Sequence, residues 1–150
     1  MTTVNTYLTF DGNCEAAFLF YKSIFGGEFS YIGRFGDMPP QDDLPTVPDE
    51  MKNRIMHVSL PISTETMLMG SDTGGEWSSN LVKGNNFSIS VNTESKAEAE
   101  RVFNALAVGG EVTMPLAMTF WQAYFGMLTD RFGISWMISY DLSREGGHRA

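Results

Sequence analysis

A single cysteine, Cys14, in 150 residues excludes an internal disulfide. Histidine is nearly as scarce: His57 and His148 are the two in the chain, so a metal site built from imidazoles has little to draw on. Basic residues are few as well. Ten Lys and Arg stand against 18 Asp and Glu, leaving a formal net charge of −8 and no local Lys/Arg cluster. Such a balance repels phosphate backbones, so nucleic acid is not an expected partner. The longest apolar stretches are strand-length, far short of the roughly 20 residues a membrane helix needs, so no membrane partner is expected either. No charged segment followed by an apolar run opens the chain, and the cytoplasm is the expected location. Gly12-Asn13, Gly26-Gly27 and Gly74-Gly75 do not form the glycine-rich loop between strand and helix that cradles a phosphate or a cofactor ribose. No nucleophile-elbow pattern surrounds any serine. Kinase, dehydrogenase and serine-hydrolase chemistry all lose their usual signatures.

What is present is ample core material. The hydrophobic fraction is 43%, with 3 Trp, 11 Phe, 5 Tyr and 10 Met, and methionine fills irregular cores and accommodating pockets alike. The chain also says the same thing twice. Strand, polar turn, amphipathic helix, Gly-Gly-Glu and strand begin near Val4 with the marker Gly26-Gly27-Glu28, and begin again near Phe87 with Gly109-Gly110-Glu111. Two modules of one design are implied, 1–75 and 76–150, with a long loop over 36–54.

In the first module, residues 4–10 read as a strand ending at Asp11-Gly12-Asn13, with Asn13 as the expected N-cap. Ala17, Phe18, Phe20, Tyr21, Ile24 and Phe25 recur at helical spacing over 14–25, and Gly26-Gly27 stops the helix. Residues 28–35 read as a second strand. The loop over 36–54 follows, holding Pro39, Pro40, Pro45 and Pro48 together with Asp37, Asp42, Asp43, Asp49 and Glu50. A loop of that length is a lid, a dimer arm or a solvated excursion. Residues 54–62 and 66–71 read as a strand hairpin, and 72–84, with the lone Trp77, as the connector. The second module opens with a strand over 87–92. Ser95 and Glu98 form a capping-box pattern ahead of an apolar face of Ala99, Val102, Phe103 and Leu106, in a helix expected to be longer than the first. Strands over 111–114, 123–129 and 134–140 follow, and the tail from 143 onwards is expected to be loose.

Each module is therefore predicted to be β-α-β-β-β, an α+β fold in which one helix covers one face of a sheet and leaves the other for a cavity. Alternation along the strands agrees. Met56, Val58 and Leu60 oppose His57 and Ser59; Phe87, Ile89 and Val91 oppose Asn86, Ser88, Ser90 and Asn92; Trp136, Ile138 and Tyr140 oppose Ser135, Met137 and Ser139. Period-two alternation demands two environments. The apolar set is expected to meet the helices, and the polar and methionine set to line the hollow.

The repeated β-α-β-β-β unit, with Tyr7-Leu8-Thr9-Phe10-Asp11-Gly12-Asn13, Phe20-Tyr21, Pro115-Leu116, Thr119-Phe120-Trp121, Phe125-Gly126-Met127 and Thr129-Asp130-Arg131-Phe132-Gly133, resembles the vicinal oxygen chelate superfamily. Within it the chain resembles the PhnB-like branch, kin of glyoxalase and bleomycin-resistance proteins whose members are often labelled 3-demethylubiquinone methyltransferase-like. The resemblance implies paired modules with curved sheets around a cavity, and a homodimer. The methyltransferase label finds no recognisable S-adenosylmethionine-binding loop here. Metal-dependent members of the superfamily carry His or Glu on the first and last strand of each module. Those positions carry over to Thr6, Met69, Asn86 and Met137, none of which is an ionisable metal ligand, so no metal and no cofactor is predicted.

His57 is the one candidate for a catalytic role, as general base, anchor for an anion or lone metal ligand, or it is a hydrogen-bonded structural residue. The expected pocket comprises Thr6, His57, Ser59, Met69, Asn86, Ser88, Trp121, Phe125, Met137 and Ser139, and its expected occupant is a small, partly apolar molecule. The alternative is a divalent-metal isomerase, lyase or dioxygenase whose site combines His57 with an acid from the loop. Cys14, at a helix N-terminus, is either a reactive thiolate or a packed core thiol.

Overall fold

Strand β1 (Thr6–Phe10) turns into helix α1 (Cys14–Phe25) in the computed structural model, which describes residues 2–37, 47–73 and 81–143. Helix α1 forms where the aromatic stripe places it. Ala17, Phe18, Tyr21 and Ile24 are buried, and each fully buried large apolar side chain contributes about 1.5–3 kcal/mol. Gly26 ends the helix at φ +79°, a conformation that favours glycine, and its amide donates to the Lys22 carbonyl at 2.8 Å.

The other end of α1 corrects the sequence reading. Asn13 makes no side-chain capping bond. The cap comes instead from Asp72, far along the chain, whose Oδ1 accepts from the amides of Gly12 at 2.8 Å and Cys14 at 3.0 Å. Its Oδ2 accepts from the Ile55 amide at 2.9 Å. One buried carboxylate thus ties together the turn, the helix start and a strand start, where negative charge also suits the helix dipole.

Strands β2 (Tyr31–Arg34), β3 (Ile55–Pro61) and β4 (Met67–Asp72) complete the first sheet in the order β1-β4-β3-β2. The β1–β4 pair is parallel and the other two pairs are antiparallel. Helix α1 packs over β3 and β4, and Gly70 makes the approach possible: a Cβ there would sit 2.6 Å from the Phe18 ring. Phe10 meets the same ring edge-on, with centroids 6.2 Å apart.

The second unit repeats this plan. Strand β5 (Ile89–Asn92), helix α2 (Lys96–Ala107) and strands β6 (Glu111–Met118), β7 (Ala123–Thr129) and β8 (Ser135–Asp141) give the order β5-β8-β7-β6, again with the first pair parallel. The capping box is present in a shifted form. Ser95 Oγ accepts from the Glu98 amide at 3.0 Å, while Glu98 Oε1 accepts from Glu94 rather than from Ser95's own amide. Ala99, Val102, Phe103 and Leu106 are buried, and a Cβ at Gly126 would lie 2.7 Å from Phe103. Helix α2, expected to be the longer, has the same 12 residues as α1.

Strand β6 runs four residues past Met114, where the sequence reading stopped before Pro115. It lies at the sheet edge, so the missing proline N–H breaks no inner ladder, and register shifts between Val112 and Met114 and between Met114 and Ala117 absorb the irregularity.

The chain divides into two compact units, residues 1–82 and 83–150. Of the loop over 36–54, the described parts include single 3-10 turns at Phe35–Asp37 and Asp49–Met51. The lid or arm expected there, the Trp77 connector and the tail with His148 fall largely or wholly outside the described residues. No helix among the described residues is long and apolar enough to cross a membrane.

Candidate functional site

Register decides which side chains share a face. Tyr7 is opposite Met69, Met69 opposite Ser59, Ser59 opposite Tyr31, and His57 opposite Gly33. Paired residues project to the same side of a sheet, and i, i+2 neighbours do too. Tyr7, Met69, His57, Ser59 and Tyr31 therefore share one face of the first sheet. Leu8, Phe10, Val58, Leu60, Leu68 and Gly70 occupy the other, beneath α1.

Of the residues expected in a pocket, His57, Ser59 and Met69 are brought together on the face away from the helix. Thr6 is not. It shares the parity of Leu8 and Phe10 and lies opposite the buried Leu68, so it belongs to the helix side. The residue of β1 on the open face is Tyr7, which the sequence reading missed by one position.

The centre of this face is an aromatic trio. The Tyr7 and Tyr31 ring centroids lie 5.7 and 5.8 Å from the His57 imidazole, tilted by 31° and 41°. Tyr7 Oη is 3.4 Å from His57 Nδ1, and Ser59 Oγ is 2.9 Å from Nε2, so each ring nitrogen faces a hydroxyl. Gly33 makes room for the arrangement: a Cβ there would meet the Tyr31 hydroxyl at 2.5 Å and its ring at 3.0 Å. Tyr7 and Tyr31 are 47% and 49% exposed, whereas Ser59 is 5% exposed. The trio thus has two accessible rings and a buried polar root.

The second sheet has a matching face with different chemistry. Met137 is opposite Ser90 and Met127, and Ser139 opposite Asn92 and Phe125. The pairs Tyr7–Met69 and Ser90–Met137 occupy equivalent places in the two units, as do His57 and Phe125. Trp121, in the turn before β7, meets Phe125 with ring centroids 5.9 Å apart. Phe125, Met137 and Ser139 therefore share a face, with Trp121 at its end. Asn86 and Ser88 precede β5, which starts at Ile89; the strand residue facing Met137 is Ser90. Tyr7 and Ser90, rather than Thr6 and Asn86, are the residues of β1 and β5 that lie opposite Met69 and Met137. Among the described residues, no three His, Cys, Asp or Glu side chains converge as a metal site would require.

Cys14 is a core thiol. It is fully buried, and burial, reinforced by the negative charges of Asp72 and Glu15, pushes its pKa far above the ordinary value of 9.0. The helix N-terminus does not activate it, because desolvation outweighs the dipole.

Two tandem βαβββ units, each with its first and last strands paired in parallel and one helix on one face, define the glyoxalase/bleomycin-resistance/dioxygenase class of fold. A family enzyme of that description from Burkholderia phytofirmans PsJN shares the fold at a TM-score of 0.60 and 14% identity, over 93% of this chain and 100% of that one. Residues 2–139 match the family described as 3-demethylubiquinone-9 3-methyltransferase, and the chain belongs to that family. It is 43% identical to protein PA1353 from Pseudomonas aeruginosa, with a TM-score of 0.77 over 94% of this chain and 98% of that one. The PhnB protein from Bacillus cereus matches at 26% identity and a TM-score of 0.72, over 93% and 99% of the two chains. Protein YjdN of Escherichia coli (strain K12) is 33% identical over 141 residues, 91% of this chain and 93% of that protein.

Proposed function

We propose that the protein binds a small, partly apolar molecule against the face of the first sheet that helix α1 leaves uncovered, without the metal ligands usual in this superfamily. The observation that carries the reading is the trio Tyr7–His57–Tyr31. Two large aromatic side chains stand about half exposed on the sheet face away from α1, held around an imidazole by a glycine in the neighbouring strand. Packing alone gives no reason to place such a group away from the core, whereas a binding wall needs apolar surface with a few fixed polar atoms. Met69 adds adaptable apolar surface beside the trio in the first unit, and Met127, Met137 and Phe125 give the second unit an apolar face of its own. For the metal-dependent alternative centred on His57, no group of three His, Cys, Asp or Glu side chains converges among the described residues, and both ring nitrogens face hydroxyls.

A thermal-shift screen of small aromatic and apolar compounds tests the proposal. A ligand at 100 times its Kd stabilises by about 2.7 kcal/mol. Hits whose stabilisation disappears in a Tyr7→Ala/Met69→Ala protein support the reading; hits that survive that double substitution contradict it. We also propose a cytoplasmic homodimer. The exposed Val112, Met114, Met118 and Phe120 of β6 and its following turn support association, and a single buried cysteine requires no oxidising compartment. Sedimentation of a 16.7 kDa species at micromolar concentration would contradict the dimer.

A further inference from the structure

Hydrogen-bond accounting along Tyr7–His57–Ser59 determines which atom the site offers to a ligand. A hydroxyl has one proton to donate, and a neutral imidazole has one N–H and one bare nitrogen. Among the described residues, the Ser59 side chain has one hydrogen-bond partner, His57 Nε2 at 2.9 Å, and Ser59 is buried. Were the ring proton on Nε2, it would point at Ser59 Oγ and leave the serine proton buried without an acceptor, at a cost of about 1–3 kcal/mol. The satisfied arrangement runs the other way. Ser59 donates to Nε2, the ring proton sits on Nδ1, and Nδ1–H donates to Tyr7 Oη across 3.4 Å. The Tyr7 proton is then turned away from the histidine, at a side chain 47% exposed.

From this polarity we infer that Tyr7 is the specificity-determining donor of the site, with His57 and Ser59 as positioning residues behind it. The ligand class that follows is a neutral, planar conjugated carbonyl compound, such as an aryl ketone or enone. Its oxygen accepts from Tyr7 Oη–H, and its plane lies against the tyrosine rings. The planar part follows from the two rings flanking the imidazole at 5.7 and 5.8 Å. Neutrality follows from the net charge of −8, which opposes an anionic acceptor. This inference rests on the binding reading above and adds to it the atom and the functional group.

Two measurements test it. In protein labelled with 15N-histidine, the imidazole nitrogen–proton correlations report the tautomer of His57 directly, at any pH where the spectrum shows the ring neutral. The expected pattern is Nδ1–H, changing toward Nε2–H in Ser59→Ala, where the serine donor is gone. Acetophenone and ethylbenzene, matched except for the carbonyl, are then titrated into the wild-type and Tyr7→Phe proteins. Acetophenone is expected to bind more tightly to the wild type and to lose about tenfold in affinity on Tyr7→Phe, as one neutral hydrogen bond predicts, while ethylbenzene changes little. An Nε2–H ring in the wild type, equal loss of both probes, or no binding of acetophenone overturns the inference. Failure of the binding reading is separate: it is signalled by thermal-shift hits that ignore the Tyr7→Ala/Met69→Ala change.

Discussion

Replacing Asp72 by alanine is expected to destabilise the first unit more than any other single loss of a polar side chain described above. The carboxylate is 4% exposed, so solvent neither screens its bonds nor readily replaces them. It accepts from three amides at 2.8, 3.0 and 2.9 Å. Each buried donor left without a partner costs about 1–3 kcal/mol. The Gly12 amide, at the turn, is partly buried and able to find water; those of Cys14 and Ile55 are buried. Two stranded donors and the lost interaction with the helix dipole give a cost of about 3–5 kcal/mol. That is a large share of the 5–15 kcal/mol typical of a whole domain.

Asp72→Asn keeps one acceptor oxygen but aims an N–H at one of the three donors, so about half the loss is expected. Urea unfolding of the three proteins, followed both by far-UV circular dichroism and by hydrogen exchange at the Cys14 and Ile55 amides, measures the effect. The midpoint should fall without a change in slope, and those two amides should lose protection first. An alanine variant within 1 kcal/mol of wild type, or an asparagine variant indistinguishable from it, would refute the reasoning that one carboxylate holds turn, helix and strand together.

The buried thiol predicts a pH dependence. Its pKa in the folded state is raised above the unfolded value of 9.0, so stability is intact below pH 9.0 and is lost as pH rises above it, because the unfolded chain releases a proton that the folded chain retains. Relative to Cys14→Ala, the wild type should lose up to about 1.4 kcal/mol per pH unit beyond that point; parallel stability curves for the two proteins between pH 8 and 10.5 would contradict it. Gly70→Ala and Gly126→Ala each drive a methyl group into a helix phenylalanine, Phe18 or Phe103. Each should cost about 1–3 kcal/mol in chemical denaturation, and Phe18→Leu should recover part of the Gly70→Ala loss by opening space, whereas strictly additive effects would argue against direct contact.

Features set by short stretches of sequence were legible. The stripe from Ala17 to Phe25 between Asn13 and Gly26 fixes α1, and Ser95 with Glu98 fixes the start of α2, because helical period, caps and stops all lie within a few residues of one another. Features that depend on distant partners were not. The cap of α1 comes from Asp72, which local sequence cannot reveal. Pro115 marks a strand end unless one knows that β6 lies at an edge. The error at Thr6 had a signal that could have prevented it: Leu8 and Phe10 are the apolar members of β1, and Thr6 shares their parity while Tyr7 does not. The sequence Thr-Tyr-Leu-Thr-Phe hides this, since threonine and tyrosine suit either side of a half-buried strand. Asn86 and Ser88 were assigned by continuing an alternation up to three residues ahead of the true start of β5. The second hydroxyl on His57 was missed with Tyr7, because the distance that joins them is created only by the pairing of β1 with β4 and of β4 with β3.

A ligand is expected to meet the face of the first sheet that lies away from α1. The most direct measurement is the chemical-shift map of the isotope-labelled protein on titration with a hit from the thermal-shift screen. Saturable shifts are expected to concentrate at Tyr7, Tyr31, His57 and Met69, with the outward residues of both helices silent. Shifts confined to the helices, or scattered over the surface without saturation, would contradict it.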